Sequence, residues 1–268
     1  MKKQRLDQLV FDLGLTPSRE RARTSIMAGL VYVDGQKVDK PGTAVAPDCQ
    51  IELRGNALQW VSRGGLKLEK ALREFSCDVS GLHCIDCGAS TGGFTDVLLH
   101  NGAEKVYAVD VGYGQLAWSL RNDPRVICME RTNIRYVTNE QIPEVLDLAV
   151  MDLSFISLRL VLPEVRRLLR EDGQIICLIK PQFEAGRENV GKKGVVRDPA
   201  VHRQVLTDFL AFAAEQQFDV LGMSFSPIRG PEGNIEYLAH LSCCPGNTPA
   251  PDIAQIVQAS YASFSGEE

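Results

Sequence analysis

No stretch of this chain approaches the roughly 18 consecutive apolar residues that a membrane-spanning helix needs. Its first residues, Met-Lys-Lys-Gln-Arg-Leu-Asp7, contain no apolar core of a secretory signal. A spanning helix is excluded, and the expected compartment is the cytoplasm. Paired metal-ligand spacing is also missing. Cys84-Ile-Asp-Cys87 has the C-x-x-C interval, but no second such pair and no His pair accompanies it, and a strand would turn the two thiols to opposite faces. No metal is expected. The eight cysteines are scattered, and Cys84, Cys128 and Cys177 lie in apolar runs, so they read as buried reduced thiols rather than a disulfide framework. A dominant charge of one sign is absent too. The net charge of −5 excludes a protein coated in nucleic acid. It is unevenly divided: residues 1–62 hold nine Lys/Arg against seven Asp/Glu, and the remainder 20 against 27. The amino-terminal piece is the basic one.

What is present is a 268-residue chain with 44% apolar residues, enough for one large or two smaller domains with a real core. Its most informative stretch is Ile85-Asp-Cys-Gly-Ala-Ser-Thr-Gly-Gly-Phe94, which follows a short apolar run and leads into a helix-periodic segment, Phe94 to Leu99. That pattern is a strand, a tight Gly-rich turn and a helix start. Such a turn lets backbone approach a ligand, and a helix start offers unpaired N–H groups. Ser90 breaks the dinucleotide fingerprint G-x-G-x-x-G, which disfavours a pyrophosphate and a nicotinamide oxidoreductase. A second strand, Lys105 to Asp110, ends in a carboxylate suited to two ribose hydroxyls. Ribose without pyrophosphate points to S-adenosylmethionine, with contacts expected at Asp86, Gly88, Ser90, Thr91, Gly92 and Phe94, at Asp110, and at Asn133 on the adenine edge.

Read in order, the chain starts with a helix from Leu6 to Leu15 that stops at Gly14, then a helix from Arg19 to Ala28 capped by Ser18. The period then changes. Leu30–Val33 and Gln36–Val38 flank the two-residue turn Asp34-Gly35, and Cys49 to Leu53 supplies a further strand. Arg5, Arg19, Arg21 and Arg23, with Lys37 on the hairpin, make this unit a candidate RNA-binding surface. The order Arg5-Leu-Asp7, Ser18-Arg-Glu-Arg-Ala22, Gly29-Leu-Val-Tyr-Val-Asp-Gly35 resembles the small RNA-binding domain named after ribosomal small-subunit protein four. The domain is expected over residues 1–55, with a linker at 56–61.

Beyond the linker, Ser62-Arg63-Gly-Gly65 precedes a helix from Leu66 to Phe75, on which Lys67 and Lys70 lie off the apolar positions. Strands then alternate with helices: 85–88, 105–110, 125–129, 146–152, a helix from Glu164 to Leu169, a strand from Gln174 to Lys180, a helix from Pro199 to Gln217, and strands 219–224 and 234–241. The expected fold is α/β: a small amino-terminal α+β domain, then a doubly wound, mostly parallel seven-stranded Rossmann-like sheet over 62–245, and a tail at 246–268. The loop from Gly186 to Arg197 carries Lys192, Lys193 and Arg197. It reads equally as ordinary flexible surface or as a lid that clamps substrate.

Asp152 and Lys180 end apolar strands, where open α/β sheets place ligands. Glu236 joins the same edge if the last strand is antiparallel. These residues carry a family resemblance. Ser62-Arg-Gly-Gly-Leu-Lys67, Asp86-Cys-Gly-Ala-Ser-Thr-Gly-Gly-Phe94, Asp152-Leu-Ser-Phe-Ile-Ser157, Lys180-Pro-Gln-Phe-Glu184 and Gly233-Asn-Ile-Glu236 resemble the hemolysin-named TlyA ribosomal RNA methyltransferases, in order along almost the whole chain. The resemblance implies an FtsJ-like catalytic domain, S-adenosylmethionine as cofactor, cytidine in ribosomal RNA within ribosomal subunits as substrate, and a Lys-Asp-Lys-Glu tetrad at Lys67, Asp152, Lys180 and Glu236. A ribose 2′-hydroxyl is a weak nucleophile, so a base must hold and deprotonate it within hydrogen-bond reach. Lys180 is the candidate base, oriented by Asp152 and Glu236. Burial and a neighbouring cation favour a neutral lysine while carboxylates favour a charged one, so sequence leaves that balance open. Arg63, Lys192, Lys193 and Arg197 join the expected RNA contacts. Methylation of an exocyclic amine is disfavoured, because Asp152-Leu-Ser-Phe155 replaces the Asn/Asp-Pro-Pro-aromatic turn of such enzymes. A non-catalytic RNA-binding assembly factor and a membrane-acting hemolysin are the other readings.

Overall fold

The computed structural model describes residues 3–16, 18–54 and 59–265. It divides into two compact units, Met1–Arg63 and Gly64–Glu268. The linker expected at 56–61 falls partly on residues 55–58, outside the described residues.

In the first unit, strand β1 (Gln4–Arg5) leads into helices α1 (Leu6–Asp12) and α2 (Arg19–Met27). Ser18 caps α2 by accepting the Arg21 N–H. Strands β2 (Val31–Val33) and β3 (Gln36–Lys37) pair across the Asp34-Gly35 turn, whose two residues both take positive φ, 50° and 78°. Short β4 (Ala44–Val45) pairs with β1, and β5 (Ile51–Leu53) pairs with β2. The β1–β4 pair was not legible, because two-residue strands carry no periodicity. Leu6, Leu9, Val10, Ala22, Ile26, Val31 and Val45 close a small core of their own.

The second unit opens with α3 (Gly65–Glu74), followed by β6 (His83–Cys87), α4 (Gly93–His100), β7 (Lys105–Val109), α5 (Trp118–Arg121), β8 (Val126–Met129) and β9 (Leu146–Met151). After them come α6 (Leu162–Arg166), β10 (Leu169–Ile179), α7 (Pro181–Glu184), α8 (Pro199–Glu215), β11 (Asp219–Phe225), β12 (Tyr237–Ser242) and α9 (Ile253–Phe264). The seven strands form one sheet in the order β11-β12-β10-β9-β6-β7-β8. Strands β6 to β10 pair in parallel, and β12 is antiparallel to both neighbours. The chain builds outward from β6 to β8 and then returns to lay β9 against the other side of β6. The switch point therefore lies between β6 and β9, where such sheets hold ligands. Ile85, Cys87, Ala149, Met151, Ile175, Cys177 and Ile179 share a core with Val205, Leu206 and Phe209 of α8 and Val257 and Phe264 of α9. Helices α3 and α4 pack on each other, α3 also on β12 and α4 on β6 and β7. Two covered faces account for the unbroken apolar runs of β9 and β10.

Two expectations are corrected. The helix expected at Glu164–Leu169 ends at Arg166, and β10 begins at Leu169, which pairs with Leu146 before the register slips as far as Gln174. Pairing with β9 and the ion pairs of Arg170 with Asp147 and Asp172, both 2.9 Å, hold this segment extended. The expected tail contains α9. Asp252 caps it by accepting the Gln255 N–H at 3.0 Å, and Val257, Ser260 and Phe264 are buried along one face.

Candidate active site at the strand ends

Helix α3 carries Lys67 in its first turn, and the structure buries both Lys67 and Lys70 along with Leu68, Ala71 and Leu72. The lysines are therefore inside the helix interface, not on separate outer angles. Lys70 donates to the Phe225 carbonyl at 2.7 Å, with its ammonium 3.6 Å over the Phe225 ring. Lys67 donates to Asp152 at 2.9 Å and to Glu236 at 2.6 Å.

Asp152 follows β9 directly, and its other oxygen lies 2.6 Å from the Lys180 ammonium at the end of β10. Lys180 also donates to Ser154 Oγ at 3.1 Å. The β10–β12 register pairs Ile179 with Tyr237, so the antiparallel run of β12 sets Glu236 opposite Lys180, one step further along. All four expected tetrad residues meet, with Lys67, Lys180 and Glu236 buried and Asp152 partly so. One detail differs from expectation: Glu236 orients Lys67, while Asp152 and Ser154 orient Lys180. The second oxygen of Glu236 is buried without a hydrogen-bond partner among the described residues. Burial works against a charged Lys67, but Asp152 and Glu236 outweigh it and raise its pKa. Burial likewise works against a charged Asp152, and Lys67 and Lys180 outweigh it, so its carboxyl is lowered.

The Gly-rich turn is formed after β6. Gly88, Ser90 and Gly92 take φ of 86°, 48° and 93°. A Cβ on Gly88 would stand 3.0 Å from the Asp152 carbonyl oxygen, and one on Gly92 would stand 2.3 Å from Leu120. The turn is thus pressed against the tetrad on one side, with no room for side chains at its glycines. Asp110 closes β7 and accepts the Ser90 N–H at 2.8 Å and the Gly112 N–H at 2.6 Å, while remaining partly exposed. Both oxygens keep lone pairs for a diol. A tight turn with a strand-end carboxylate beside it fits S-adenosylmethionine. Thr91 is half-buried beside this turn. Two expected contacts sit deeper. Asp86 is buried, with one oxygen accepting from the Thr95 N–H at 3.0 Å and its hydroxyl at 2.7 Å, so it braces the start of α4. Burial pushes its carboxyl up to about 7, against the two Thr95 bonds. Phe94 is likewise buried. Asn133 accepts the Arg135 N–H at 3.1 Å and caps the turn after β8.

Sequence reasoning passed over Ser154, Phe155, Ser157 and Glu184, although each stands inside a quoted motif. Phe155 is 91% exposed at φ 63°, and its ring is 5.2 Å from that of Phe183. An outward bulky side chain at positive φ is a strained arrangement of the kind found at functional sites. A cavity of about 330 Å³ opens beside Phe183, lined also by Gln182, Gly186, Arg187 and Val190.

The Lys-rich loop proves to be a held turn. Gly194 N–H donates to Gly191 O at 2.8 Å, presenting exposed Lys192 and Lys193 at its tip. Asn234 bridges its stem, donating to Gly194 O at 2.9 Å and accepting from Val196 N–H at 3.0 Å, and Tyr261 donates to the carbonyl of exposed Arg197 at 2.8 Å.

In the first unit, buried Asp7 gathers Arg5 and Arg19 at 3.0 and 3.2 Å, both half-exposed. Arg23 and Lys37 are exposed. Arg21 donates to the Trp60 and Gln59 carbonyls at 2.8 and 2.9 Å and so braces the end of its own unit, where half-buried Arg63 also lies.

Comparison with known proteins agrees with this architecture. Residues 60–243 match the model of the FtsJ-like methyltransferases, and residues 4–51 match the S4 domain. YqxC of Bacillus subtilis, whose name places it among rRNA methyltransferases, is 51% identical over 98% of this chain and 96% of its own length. The 16S/23S rRNA (cytidine-2′-O)-methyltransferase TlyA of Mycobacterium tuberculosis is 47% identical over 90% of each chain. A solved structure from Streptococcus thermophilus, titled for hemolysins, is 47% identical, covers 99% of this chain and 98% of that one, and superimposes with a TM-score of 0.79. The chain belongs to the FtsJ-like methyltransferase family, among relatives named TlyA, and carries an amino-terminal S4 domain.

Proposed function

We propose that this protein transfers a methyl group from S-adenosylmethionine to the ribose 2′-hydroxyl of a cytidine in ribosomal RNA. The observation that carries the reading is the interlocked set Lys67, Asp152, Lys180 and Glu236, with the Gly-rich turn packed directly against the Asp152 backbone. When bound, S-adenosylmethionine supplies an electrophilic methyl group on a sulfonium.

Lys67 is held as a cation between Asp152 and Glu236, and Lys180, paired with Asp152 from the other side, is the lysine assigned to proton exchange. Lys180 in its neutral form accepts the 2′-hydroxyl proton, and Asp152 and Ser154 fix the direction of its nitrogen. The backbone of Gly88 to Gly92 holds the cofactor, and Asp110 its ribose hydroxyls. Phosphates of the RNA are met by Lys192, Lys193 and Arg197, and by Arg5, Arg19, Arg23 and Lys37 of the S4 domain. The cytidine and the ribosomal RNA rest on the name of the Mycobacterium tuberculosis relative. Against a membrane-acting reading, no helix among the described residues is long and apolar enough to cross a bilayer.

The test is transfer of labelled methyl from S-adenosylmethionine to purified large and small ribosomal subunits separately, followed by nuclease mapping. A 2′-O-methylcytidine in either subunit is the expected result. Label on a base, or no label with either subunit, would overturn the reading.

A further inference from the structure

We infer that Glu184 is a positioning residue that locks the loop after β9 onto the turn after β10, and so sets the geometry of Asp152, Ser154 and Lys180. The inference rests on the reading of those residues as the methyl-transfer site.

Glu184 ends α7, four residues beyond Lys180. One of its oxygens accepts the Ser157 hydroxyl at 2.7 Å, and the other accepts the Leu158 N–H at 2.8 Å. Ser157 Oγ accepts in turn from the Arg159 N–H at 3.2 Å, so the bond reaches the cap of the following short helical turn. At the other end of the same two segments, Lys180 meets Asp152 at 2.6 Å and Ser154 at 3.1 Å. Between the two ends the rings of Phe155 and Phe183 lie 5.2 Å apart.

The two segments therefore form a clasp, closed at its base by Lys180 and at its tip by Glu184. Phe155, at φ 63°, lies along the chain between the two ends of the clasp, which hold it in this strained conformation. Strain of this kind persists only where surrounding bonds hold it, and the Glu184 carboxylate supplies two such bonds. The turn itself is fixed within α7 by Phe183 N–H to Lys180 O and Ala185 N–H to Pro181 O, both 2.9 Å, so Glu184 is held on a stiff base. Burial raises the Glu184 carboxyl, the usual mark of an acceptor set inside protein. Among the described residues the hydrogen bonds of Glu184 go to Ser157 and Leu158 and not to the tetrad, so it acts through the loop.

The variants are Glu184→Ala, which removes both acceptors, and Glu184→Gln, which keeps an acceptor for the Leu158 N–H and a partner for Ser157. Ser157→Ala breaks one of the two bonds from the other side and serves if Glu184→Ala does not fold. Three readouts are taken on the full chain: amide exchange of residues 153–158, affinity for S-adenosylmethionine by calorimetry, and kcat and KM with ribosomal subunits.

Glu184→Ala is expected to speed exchange in 153–158 at least tenfold and to lower kcat about 10- to 100-fold, the effect of a displacement near 1 Å. Affinity for S-adenosylmethionine stays within twofold, and Glu184→Gln recovers both exchange and kcat to within about threefold. Faster exchange with unchanged kcat would overturn the positioning role. Unchanged exchange would overturn the clasp. If the wild-type protein methylates neither subunit, the proposed reaction fails, while the exchange comparison still decides whether the clasp exists.

Discussion

Lys67 donates a 2.6 Å hydrogen bond to Glu236 across 169 residues of sequence, joining the first helix of the catalytic unit to the approach of its last strand. The same ammonium holds Asp152, so one cation bridges carboxylates from two distant elements. A buried pair of this kind costs most when only one partner is removed.

Replacing Lys67 by Met should therefore lower stability by about 3–5 kcal/mol, since buried Glu236 loses its ion-pair partner and Asp152 keeps only Lys180. The double variant Lys67→Met/Glu236→Gln should regain much of that stability without regaining methyl transfer. Urea denaturation of both variants checks this. Equal stability of single and double variants would show that Lys67 does not carry the charge balance.

Lys180→Ala should lower kcat by about 10²- to 10⁴-fold, the range for loss of a general base, with affinity for S-adenosylmethionine unchanged. The assay is single-turnover transfer at saturating cofactor and RNA. Full retention of the rate would remove Lys180 as the base.

Gly88→Ala should weaken S-adenosylmethionine binding at least tenfold by calorimetry and cost about 1–3 kcal/mol of stability. The new Cβ would stand 3.0 Å from a backbone carbonyl and 3.1 Å from Leu153, and the residue sits at φ 86°. A variant that binds the cofactor as tightly as wild type would move the site away from this turn.

Asp86 and His240 should act on stability in opposite directions within one pH window. Burial lifts Asp86 to about 7, so its contribution is complete below its unfolded pKa, about 3.9, and is lost as pH rises to about 7. Burial lowers His240 to about 4, so its contribution is complete above its unfolded pKa, about 6.5, and is lost as pH falls toward 4. Relative to wild type, Asp86→Asn should gain stability as pH rises from 4.5 to 7.5, and His240→Phe should lose it, each by a few kcal/mol at most. Denaturant melts at the two pH values decide it, and parallel curves for variant and wild type would refute the assignment.

In the S4 domain, Arg23→Ala and Lys37→Ala should each weaken RNA binding and reduce its salt slope by about one, as loss of a phosphate contact does. Arg21→Ala should instead lower the stability of this unit, because its guanidinium holds the Gln59 and Trp60 carbonyls. Fluorescence anisotropy at several salt concentrations, paired with thermal melts, separates the two. An Arg21 variant that loses RNA affinity at unchanged stability would reverse its role.

The tetrad as a set came from the family resemblance; the alternation of strands and helices, the turn at Gly88 to Gly92, the Ser18 cap and the strand-end positions of Asp152 and Lys180 were legible along the chain alone. These are local signals: period, punctuation and polar residues that interrupt apolar runs. Only the tertiary structure decided which tetrad members touch, because Lys67, Asp152, Lys180 and Glu236 come from four elements whose distances depend on strand order and register. It likewise buried Asp86 and Phe94, with Asp86 bonded to Thr95 at the start of α4. It extended β10 back from Gln174 to Leu169, since pairing with β9 outweighs local preference. The clasp at Glu184 was hidden for the same reason: a carboxylate in sequence does not state which loop will come to meet it.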